Sequence, residues 1–301
     1  MKITEIPPRD FDLAMTLNSG QVFHWERIRN GFLGTIGDIP TYVKQRGEVL
    51  RARVAAASSR YSEKHAQVTI EHYFALDHRL PEICASFPDD QIMNAAREFC
   101  LGLRIIRQPK WECLATFICS SMKQVVHIRQ ISKALRERFG IALKADLPED
   151  RSSGADSCLV HTFPSAERLA KSSEKELRKC ALGYRAAHLL ATARLVDSGE
   201  ADLDAWQVLS DAELHHQLCE LPGVGAKIAN CVMLFAYERL RAFPIDVWIE
   251  RVLRHHYFPR ARKSNMSRLR EFSEGYFGEH GGYAQQYLFH YARAIWRKSP
   301  V

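Results

Sequence analysis

The most informative stretch of this 301-residue chain is LPGVGAK at residues 221–227. Two glycines around one apolar residue permit a tight turn that exposes its backbone amides. The apolar run that follows, at 228–237, predicts a helix, and the first turn of a helix offers unpaired N–H donors and a partial positive charge to an anion. The stretch therefore predicts a phosphate-binding turn with Lys227 at its mouth. By itself it favours DNA binding without chemistry.

A carboxylate adds chemistry to this turn. Asp246 follows Lys227 by nineteen residues, in the segment FPIDV at 243–247. Pro244 does not fit the interior of a helix, so Asp246 has the position of an N-cap for a helix that begins at Val247. Two antiparallel helices would also bring Asp246 close to Lys227. A simple cap and a catalytic carboxylate both remain compatible with the sequence.

The order of hairpin, lysine, helix and aspartate resembles the helix-hairpin-helix/Gly-Pro-Asp superfamily of DNA base-excision glycosylases. The resemblance implies that the hairpin grips the DNA backbone through the amides near Gly223, Gly225 and Ile228. It also implies that Lys227 is the nucleophile of a bifunctional enzyme and that Asp246 is the catalytic carboxylate.

Further blocks along the chain are similar to one branch of that superfamily. LNSGQVFHW at 17–25 resembles the N-terminal signature of the 8-oxoguanine DNA glycosylases, and weaker matches follow in order at 72–77, 117–121, 182–186 and 278–289. The resemblance implies an α+β fold. We expect an antiparallel β-rich N-terminal domain over residues 1–90 and an all-helical helix-hairpin-helix glycosylase domain over 91–301.

Local patterns agree with this architecture. Alternating or β-branched runs at 21–28, 32–36, 41–45 and 49–54, separated by Gly-containing turns, predict an antiparallel meander. From about residue 89 the pattern is helical. Pro109 fits the first turn of a helix, Ser173 and Ser210 have capping-box spacing to a glutamate, and the segment 144–161 is typical of an exposed loop.

The resemblance also implies a pocket for the damaged base. Its residues would be Gly20, Cys231, Gln285 and Phe289. The carbonyl of Gly20 would accept the N7–H that 8-oxoguanine has and guanine lacks, and Gln285 would pair with the Watson–Crick edge. Phe289 and Cys231 would cover the two faces of the base. Without the resemblance, these residues would be ordinary core residues and a turn glycine.

Other positions are expected to contact the opened duplex. Tyr184 resembles the family's wedge beside the extruded base, and Arg185 resembles its contact to the orphaned partner base; a surface tyrosine and a solvated charge are the alternatives. Three positions depart from the family pattern, because Met122, His127 and Trp248 replace an asparagine, an arginine and a histidine. Met122 cannot read a base edge and His127 lacks the arginine fork, so we expect relaxed preference for the base opposite the lesion.

Composition bounds the partners. A net charge of +7 and a pI near 9.0 fit a polyanion such as double-stranded DNA containing an oxidised purine. No apolar run is long enough to span a membrane, and the N-terminal residues lack a signal-peptide core. We expect a protein that is not secreted, cytoplasmic or nucleoid-associated if bacterial and nuclear if eukaryotic, and monomeric.

The cysteines argue against a cofactor. None of the eight lies beyond Cys231, whereas endonuclease III and its adenine-excising relatives carry a four-cysteine iron–sulfur cluster after the catalytic aspartate. We therefore expect no iron–sulfur cluster and no metal.

The combined expectation is a bifunctional glycosylase that flips out and excises 8-oxoguanine, then cleaves the abasic strand by β-elimination through a lysine Schiff base. Two alternatives remain. One is a monofunctional alkylpurine DNA glycosylase of the same fold, which needs no lysine. The other is a non-catalytic helix-hairpin-helix DNA-binding protein.

Overall fold

The computed structural model of this chain describes residues 3–54, 63–147, 157–259 and 265–296. An antiparallel sheet comes first and helices form most of the remainder, which confirms the predicted α+β class.

The N-terminal sheet contains five strands in the order β1-β5-β4-β3-β2, all antiparallel. Its elements are β1 (Ile3–Ile6), α1 (Leu13–Asn18), β2 (Glu26–Ile28), β3 (Gly31–Ile36), β4 (Ile39–Arg46) and β5 (Val49–Val54). The turns between β3, β4 and β5 contain Gly37 and Gly47, both at φ +58°, a conformation that glycine adopts without strain.

The predicted meander is confirmed from residue 32 onward, but the first predicted strand, 21–28, was too long. Only Glu26–Ile28 pairs with β3. The reason lies in Gln21, whose buried amide donates to the Arg104 carbonyl at 2.8 Å and accepts the Ile106 N–H at 2.7 Å. These contacts bind residue 21 to the segment between the helices Gln91–Phe99 and Lys110–Ser120 instead of to the sheet.

The remaining elements follow in chain order. They are α2 (Glu63–Tyr73), α3 (Leu80–Ala85), α4 (Gln91–Phe99), α5 (Lys110–Ser120), α6 (Val125–Phe139), β6 (Ala142–Asp146), β7 (Ser157–His161), α7 (Ala166–Ala170), α8 (Glu174–Arg178), α9 (Arg185–Asp197), α10 (Asp211–Glu220), α11 (Ala226–Ala236), α12 (Val247–Val252), α13 (Met266–Phe277) and α14 (Gly281–Ile295).

The predicted helix starts agree with these bounds. Pro109 immediately precedes α5 and occupies its N-cap position. Ser173 and Ser210 each form a full capping box, in which the serine accepts the N–H of the glutamate three residues on and that glutamate accepts the serine N–H. These local signals depend only on neighbouring residues, which is why the sequence predicts them well.

The predicted loop at 144–161 was wrong in its described part, since β6 and β7 pair there as an antiparallel hairpin. Residues 148–156 lie outside the described residues. Ala145 and Leu147 are buried with Leu33 and Tyr42 of the sheet in a small separate core. The hairpin therefore covers the second face of β3 and β4, a tertiary contact that the mixed charge of the segment concealed.

The chain has two larger hydrophobic cores, one against the N-terminal sheet and one among the helices that follow. The sheet, α1 and α2 enclose one of them, with Trp25, Val43 and Phe74 among its members. The other runs from α3 through α14 and contains the buried faces of α5 and α11. Ile106 belongs to the first core and Phe23 to the second, so each core contains a residue from the other part of the chain. The expected domain boundary at 90/91 stays a prediction.

Candidate active site

The hairpin between α10 and α11 has the tight turn that the glycines predicted. Gly223 adopts φ +81°, and a Cβ there would lie 2.7 Å from Cβ of His188 on α9. Gly225 is the N-cap of α11, and the Pro222 carbonyl accepts a hydrogen bond from the Thr192 hydroxyl at 3.0 Å. The turn is thus fixed against α9, while the first-turn amides of α11, including that of Ile228, have no acceptor within the helix.

Lys227 and Asp246 both border one cavity. Lys227 is in the first turn of α11, with Nζ 5.2 Å from the ring centroid of Phe117. Asp246 is the N-cap of α12, as predicted, and its Oδ1 accepts the Ile249 N–H at 2.9 Å. The cap fixes the direction of the carboxylate, so capping and chemistry are compatible in this geometry.

Burial and charge act in opposite directions on the carboxylate. Burial raises the pKa of Asp246, while the hydrogen bond from the Ile249 amide and the charge of Lys227 lower it. Burial also raises the pKa of the Cys231 thiol, one helical turn after Lys227. The thiol is therefore neutral at pH 7.

The cavity has a volume of about 440 Å³, within the range of pockets that hold small organic groups. Seven of the predicted site residues border it. They are Gly20, Lys227, Cys231, Asp246, Trp248, Gln285 and Phe289.

Gln285 carries an unsatisfied polar atom into this region. Its side chain is 4 % exposed, and among the described residues its Oε1 has no hydrogen-bond partner. Leaving a buried acceptor unpaired costs about 1–3 kcal/mol, so such an atom is expected where a ligand supplies the missing donor.

Gly20 occupies a position that admits no side chain. It adopts φ +92°, and a Cβ there would lie 2.2 Å from Nη1 of Arg293 and 3.1 Å from Cε1 of Phe289. A side chain at residue 20 would therefore collide with Arg293 and the Phe289 ring, and Gly20 borders the cavity together with both residues.

Several cavity residues were absent from the sequence-based set, including Phe117, Arg251 and Arg293. The four-residue spacing that links Gln285 to Phe289 continues to Arg293, so helical periodicity was the signal available for that residue. Phe117 lies in the block at 117–121 that resembles the family, whereas Arg251 carried no comparable signal.

Tyr184 and Arg185 lie outside the cavity lining. Tyr184 is 52 % exposed, whereas Arg185 is only 6 % exposed. The Arg185 guanidinium donates from Nε to the Ser121 carbonyl at 2.7 Å and from Nη1 to the Leu182 carbonyl at 3.2 Å. It ties α9 to the turn after α5, and its expected contact with an orphaned base stays a prediction.

Met122 projects from that same turn. It has φ +53° and is 92 % exposed, and His127 is exposed on the first turns of α6. Neither borders the cavity, but their neighbours Lys123 and Val125 do, so this turn forms part of the cavity's rim.

In the described ranges, no helix has the length and apolar character needed to cross a bilayer. The eight cysteines are all free thiols.

Comparison with known proteins agrees with this geometry. Residues 3–114 match the family model for the N-terminal domain of 8-oxoguanine DNA glycosylase, and residues 115–276 match that for HhH-GPD superfamily base excision DNA repair proteins. A probable N-glycosylase/DNA lyase from Methanothermobacter thermautotrophicus is 29 % identical over 96 % of this chain and 95 % of its own.

Two solved structures are similar over nearly the whole chain. MBOgg1 in complex with a low affinity DNA ligand is 30 % identical, with a TM-score of 0.85, and the match covers 98 % of this chain and 99 % of that one. The Clostridium acetobutylicum 8-oxoguanine glycosylase/lyase, in complex with double-stranded DNA containing cytosine opposite 8-oxoguanine, is 28 % identical with a TM-score of 0.83 and 98 % coverage of both chains. The chain belongs to the HhH-GPD superfamily of base excision DNA repair proteins and, within it, to the 8-oxoguanine DNA glycosylases.

Proposed function

We propose that this protein excises 8-oxoguanine from duplex DNA and then cleaves the abasic strand, with Lys227 as nucleophile. The observation that carries the proposal is the meeting of Lys227, Asp246 and the unpaired Oε1 of Gln285 at one cavity beside the hairpin. The names of the relatives, N-glycosylase/DNA lyase and 8-oxoguanine glycosylase/lyase, support both activities.

Base recognition requires the damaged nucleotide to leave the helical stack, at a cost of about a few kcal/mol. The amides of Gly223, Gly225 and Ile228 would hold the backbone of the distorted strand. In the cavity, the Gly20 carbonyl accepts N7–H of 8-oxoguanine, whereas guanine would present its bare N7 acceptor to the same oxygen. Phe289 and Cys231 cover the two faces of the base.

The chemistry then proceeds at C1′ of the flipped nucleotide. The bond from C1′ to N9 breaks with its electron pair leaving on the base, and the positive charge that develops on the sugar is stabilised by the Asp246 carboxylate. The neutral amine of Lys227 forms the new bond to C1′. Ring opening gives a Schiff base, and loss of a C2′ proton expels the 3′ phosphate by β-elimination.

Cofactor and location belong to the same proposal. We expect the enzyme to work without an iron–sulfur cluster, since no cysteine follows Cys231 to supply thiolate ligands. Its place of action would be wherever genomic DNA is held, the nucleoid or the nucleus.

Borohydride trapping tests the nucleophile. The wild-type protein should become cross-linked to duplex DNA containing 8-oxoguanine, and Lys227→Gln should not, because the amide cannot form a Schiff base. Lys110→Gln is a matched control, since Lys110 Nζ also lies 5.2 Å from an aromatic centroid, that of Tyr237, but faces a different cavity. Equal cross-linking by Lys227→Gln and wild type would overturn the assignment.

The alternative within the superfamily is an alkylpurine glycosylase that uses the carboxylate alone. The same assay separates the two activities if duplexes containing 3-methyladenine are included. Excision of 3-methyladenine without strand nicking would favour that alternative, and its half-buried Lys227 would then have no role in the chemistry.

A further inference from the structure

Arg293 holds the backbone beside the lesion cavity. It lies on the same face of α14 as Gln285 and Phe289 and borders the cavity with them. Its Nη2 donates to the Asn18 carbonyl at 2.9 Å, and its Nη1 lies 3.4 Å from the Ser19 carbonyl. One guanidinium therefore contacts two successive carbonyls that immediately precede Gly20.

Other contacts complete this anchoring. Gln286, also on α14, donates from Nε2 to the Ser19 carbonyl at 3.2 Å. On the other side of Gly20, the side chain of Gln21 is fully buried and bound to the Arg104 carbonyl. Gly20 thus lies between two fixed neighbours, and α14 supplies the fixing groups on its N-terminal side.

The same guanidinium also contacts Phe289. Its Cζ lies 5.1 Å from the Phe289 ring centroid, a cation–π distance. Since a Cβ on Gly20 would lie 3.1 Å from the Phe289 ring and 2.2 Å from Arg293 Nη1, the three groups are in mutual contact. Arg293 therefore fixes the Gly20 backbone and the Phe289 ring relative to each other.

We propose that Arg293 is a positioning residue that sets the discrimination between 8-oxoguanine and guanine, because it holds the Gly20 carbonyl and the Phe289 ring in one arrangement. The inference rests on the proposed function. A carbonyl distinguishes N7–H from a bare N7 only if the ring is stacked in the plane that points this edge at the oxygen, since hydrogen bonds weaken steeply away from linearity. A loosely held segment would accept both bases more equally.

The guanidinium has properties that neither a lysine nor an apolar side chain supplies. Its planar fork contacts two carbonyls and stacks on an aromatic face at once, whereas an ammonium is a compact point charge. Methionine fills a similar volume and donates no hydrogen bond. Arg293→Lys therefore keeps the charge without the fork, and Arg293→Met removes both.

The test compares two reactions of the same protein. Single-turnover excision of 8-oxoguanine requires base recognition, whereas cleavage of a preformed abasic site requires only Lys227 and Asp246. Guanine at the same position in the duplex serves as the competing substrate. Arg268→Met is the matched control, since Arg268 on α13 stacks on Phe258 at 5.3 Å and does not border this cavity.

Arg293→Met should lower the single-turnover rate of 8-oxoguanine excision about 10- to 100-fold, the loss typical of a displaced reacting group. Its 8-oxoguanine to guanine ratio should fall, while abasic-site cleavage and borohydride trapping at that site should fall far less than excision does. Arg293→Lys should show the same pattern and recover only a small part of the rate. Arg268→Met should behave as wild type.

Three results would overturn the inference alone, and a fourth would overturn the proposed function as well. Full rescue by Arg293→Lys would show that charge alone matters, and a parallel loss of excision and abasic-site cleavage would assign Arg293 to general stability or to the chemistry. An unchanged ratio of 8-oxoguanine to guanine excision in both variants would show that Arg293 has no part in selectivity. A wild-type protein that cleaves abasic sites but leaves 8-oxoguanine in place would overturn the proposed function itself, and the inference with it.

Discussion

The lesion cavity and the turn that borders it are built in opposite ways. Most of the cavity residues are buried or half-buried, and many of them lie on α11, α12 and α14. The turn presents Met122 almost fully exposed with a left-handed backbone, and it is held by the Lys123 N–H donating to the Ser120 carbonyl at 3.1 Å and by Arg185 donating to the Ser121 carbonyl. We call Met122, His127, Tyr184 and Arg185, the residues that we expect to contact the strand opposite the lesion, the opposite-strand face.

The contrast separates two kinds of recognition. A buried cavity fixes donor and acceptor positions before the ligand arrives, so it can discriminate between bases that differ in the hydrogen-bonding character of one edge. An exposed side chain with one thioether can fill space between bases but has no group that reads an edge. Discrimination at the lesion and tolerance at the opposite base are therefore expected in the same molecule.

The largest expected effect is at the centre of the cavity. Asp246→Asn keeps a side-chain acceptor for the Ile249 N–H and so keeps the helix cap. It removes the charge that stabilises the developing cation, and excision should fall by about 10²- to 10³-fold. Single-turnover kinetics on duplexes containing 8-oxoguanine measure this, and a loss smaller than about tenfold would deny Asp246 its electrostatic role.

Asp246→Asn should also change the free energy of unfolding, by an amount that depends on pH. Burial raises the pKa of Asp246 above its unfolded value, so the folded protein favours the protonated form. The folded protein binds this proton more tightly than the unfolded chain does, and this contributes to the free energy of unfolding. The contribution is complete below the unfolded pKa and is lost as the pH rises through the folded pKa. Asp246→Asn should therefore raise the free energy of unfolding at pH 7, and the gain should shrink in acid; denaturant titrations at the two pH values test this.

The raised pKa of Asp246 also predicts how the excision rate falls at low pH. Because the carboxylate form is needed at the cation, excision should fall off in acid at a higher pH than an ordinary aspartate would give. A pH–rate profile of single-turnover excision measures the fall. A midpoint of this acidic fall at or below the usual pKa range of aspartate would contradict the expected effect of burial.

A smaller effect is expected at the wall of the cavity. Gly20→Ala places a methyl group against Arg293 and Phe289 and forces alanine into a positive φ, at a cost of about 1–3 kcal/mol. We expect excision of 8-oxoguanine to fall about 10- to 100-fold with abasic-site cleavage retained. Gly37→Ala is the control, because it has a positive φ in open space far from the cavity, and it should lose stability alone.

The opposite-strand face should give a more modest effect. Excision by the wild type should vary little among duplexes with C, T, A or G opposite the lesion, and strict cytosine preference would contradict this. His127→Arg adds a bidentate donor beside the turn. Since a good bidentate pair is worth about 1–3 kcal/mol, cytosine preference should rise by about tenfold.

The smallest expected effect concerns backbone strain at the turn. Met122→Asn replaces an exposed residue at φ +53° with one that tolerates the left-handed region. The gain in unfolding free energy should be under about 1 kcal/mol, measured by denaturant titration. Val126→Asn, which changes an exposed residue on α6, should give no gain.

Much of the fold was predictable because its signals are local. The hairpin glycines, the Asp246 cap and the two capping boxes depend on residues within one turn of each other. The β6–β7 hairpin was missed because its apolar residues find their partners on Leu33 and Tyr42, more than a hundred positions earlier in the chain. Arg293 was missed for the same reason, since its acceptors belong to α1 and the residue after it.

The sequence by itself determined the chemistry available: a lysine behind a glycine hairpin, a capping aspartate nineteen residues later and no thiolates after Cys231. Those features follow from short-range spacing, which one chain displays directly. Only the tertiary structure decided that Gly20 meets Arg293 and Phe289, and that Arg185 is engaged with the Ser121 carbonyl. Such contacts join distant segments through packing and hydrogen bonding, and their geometry depends on how the two cores interlock.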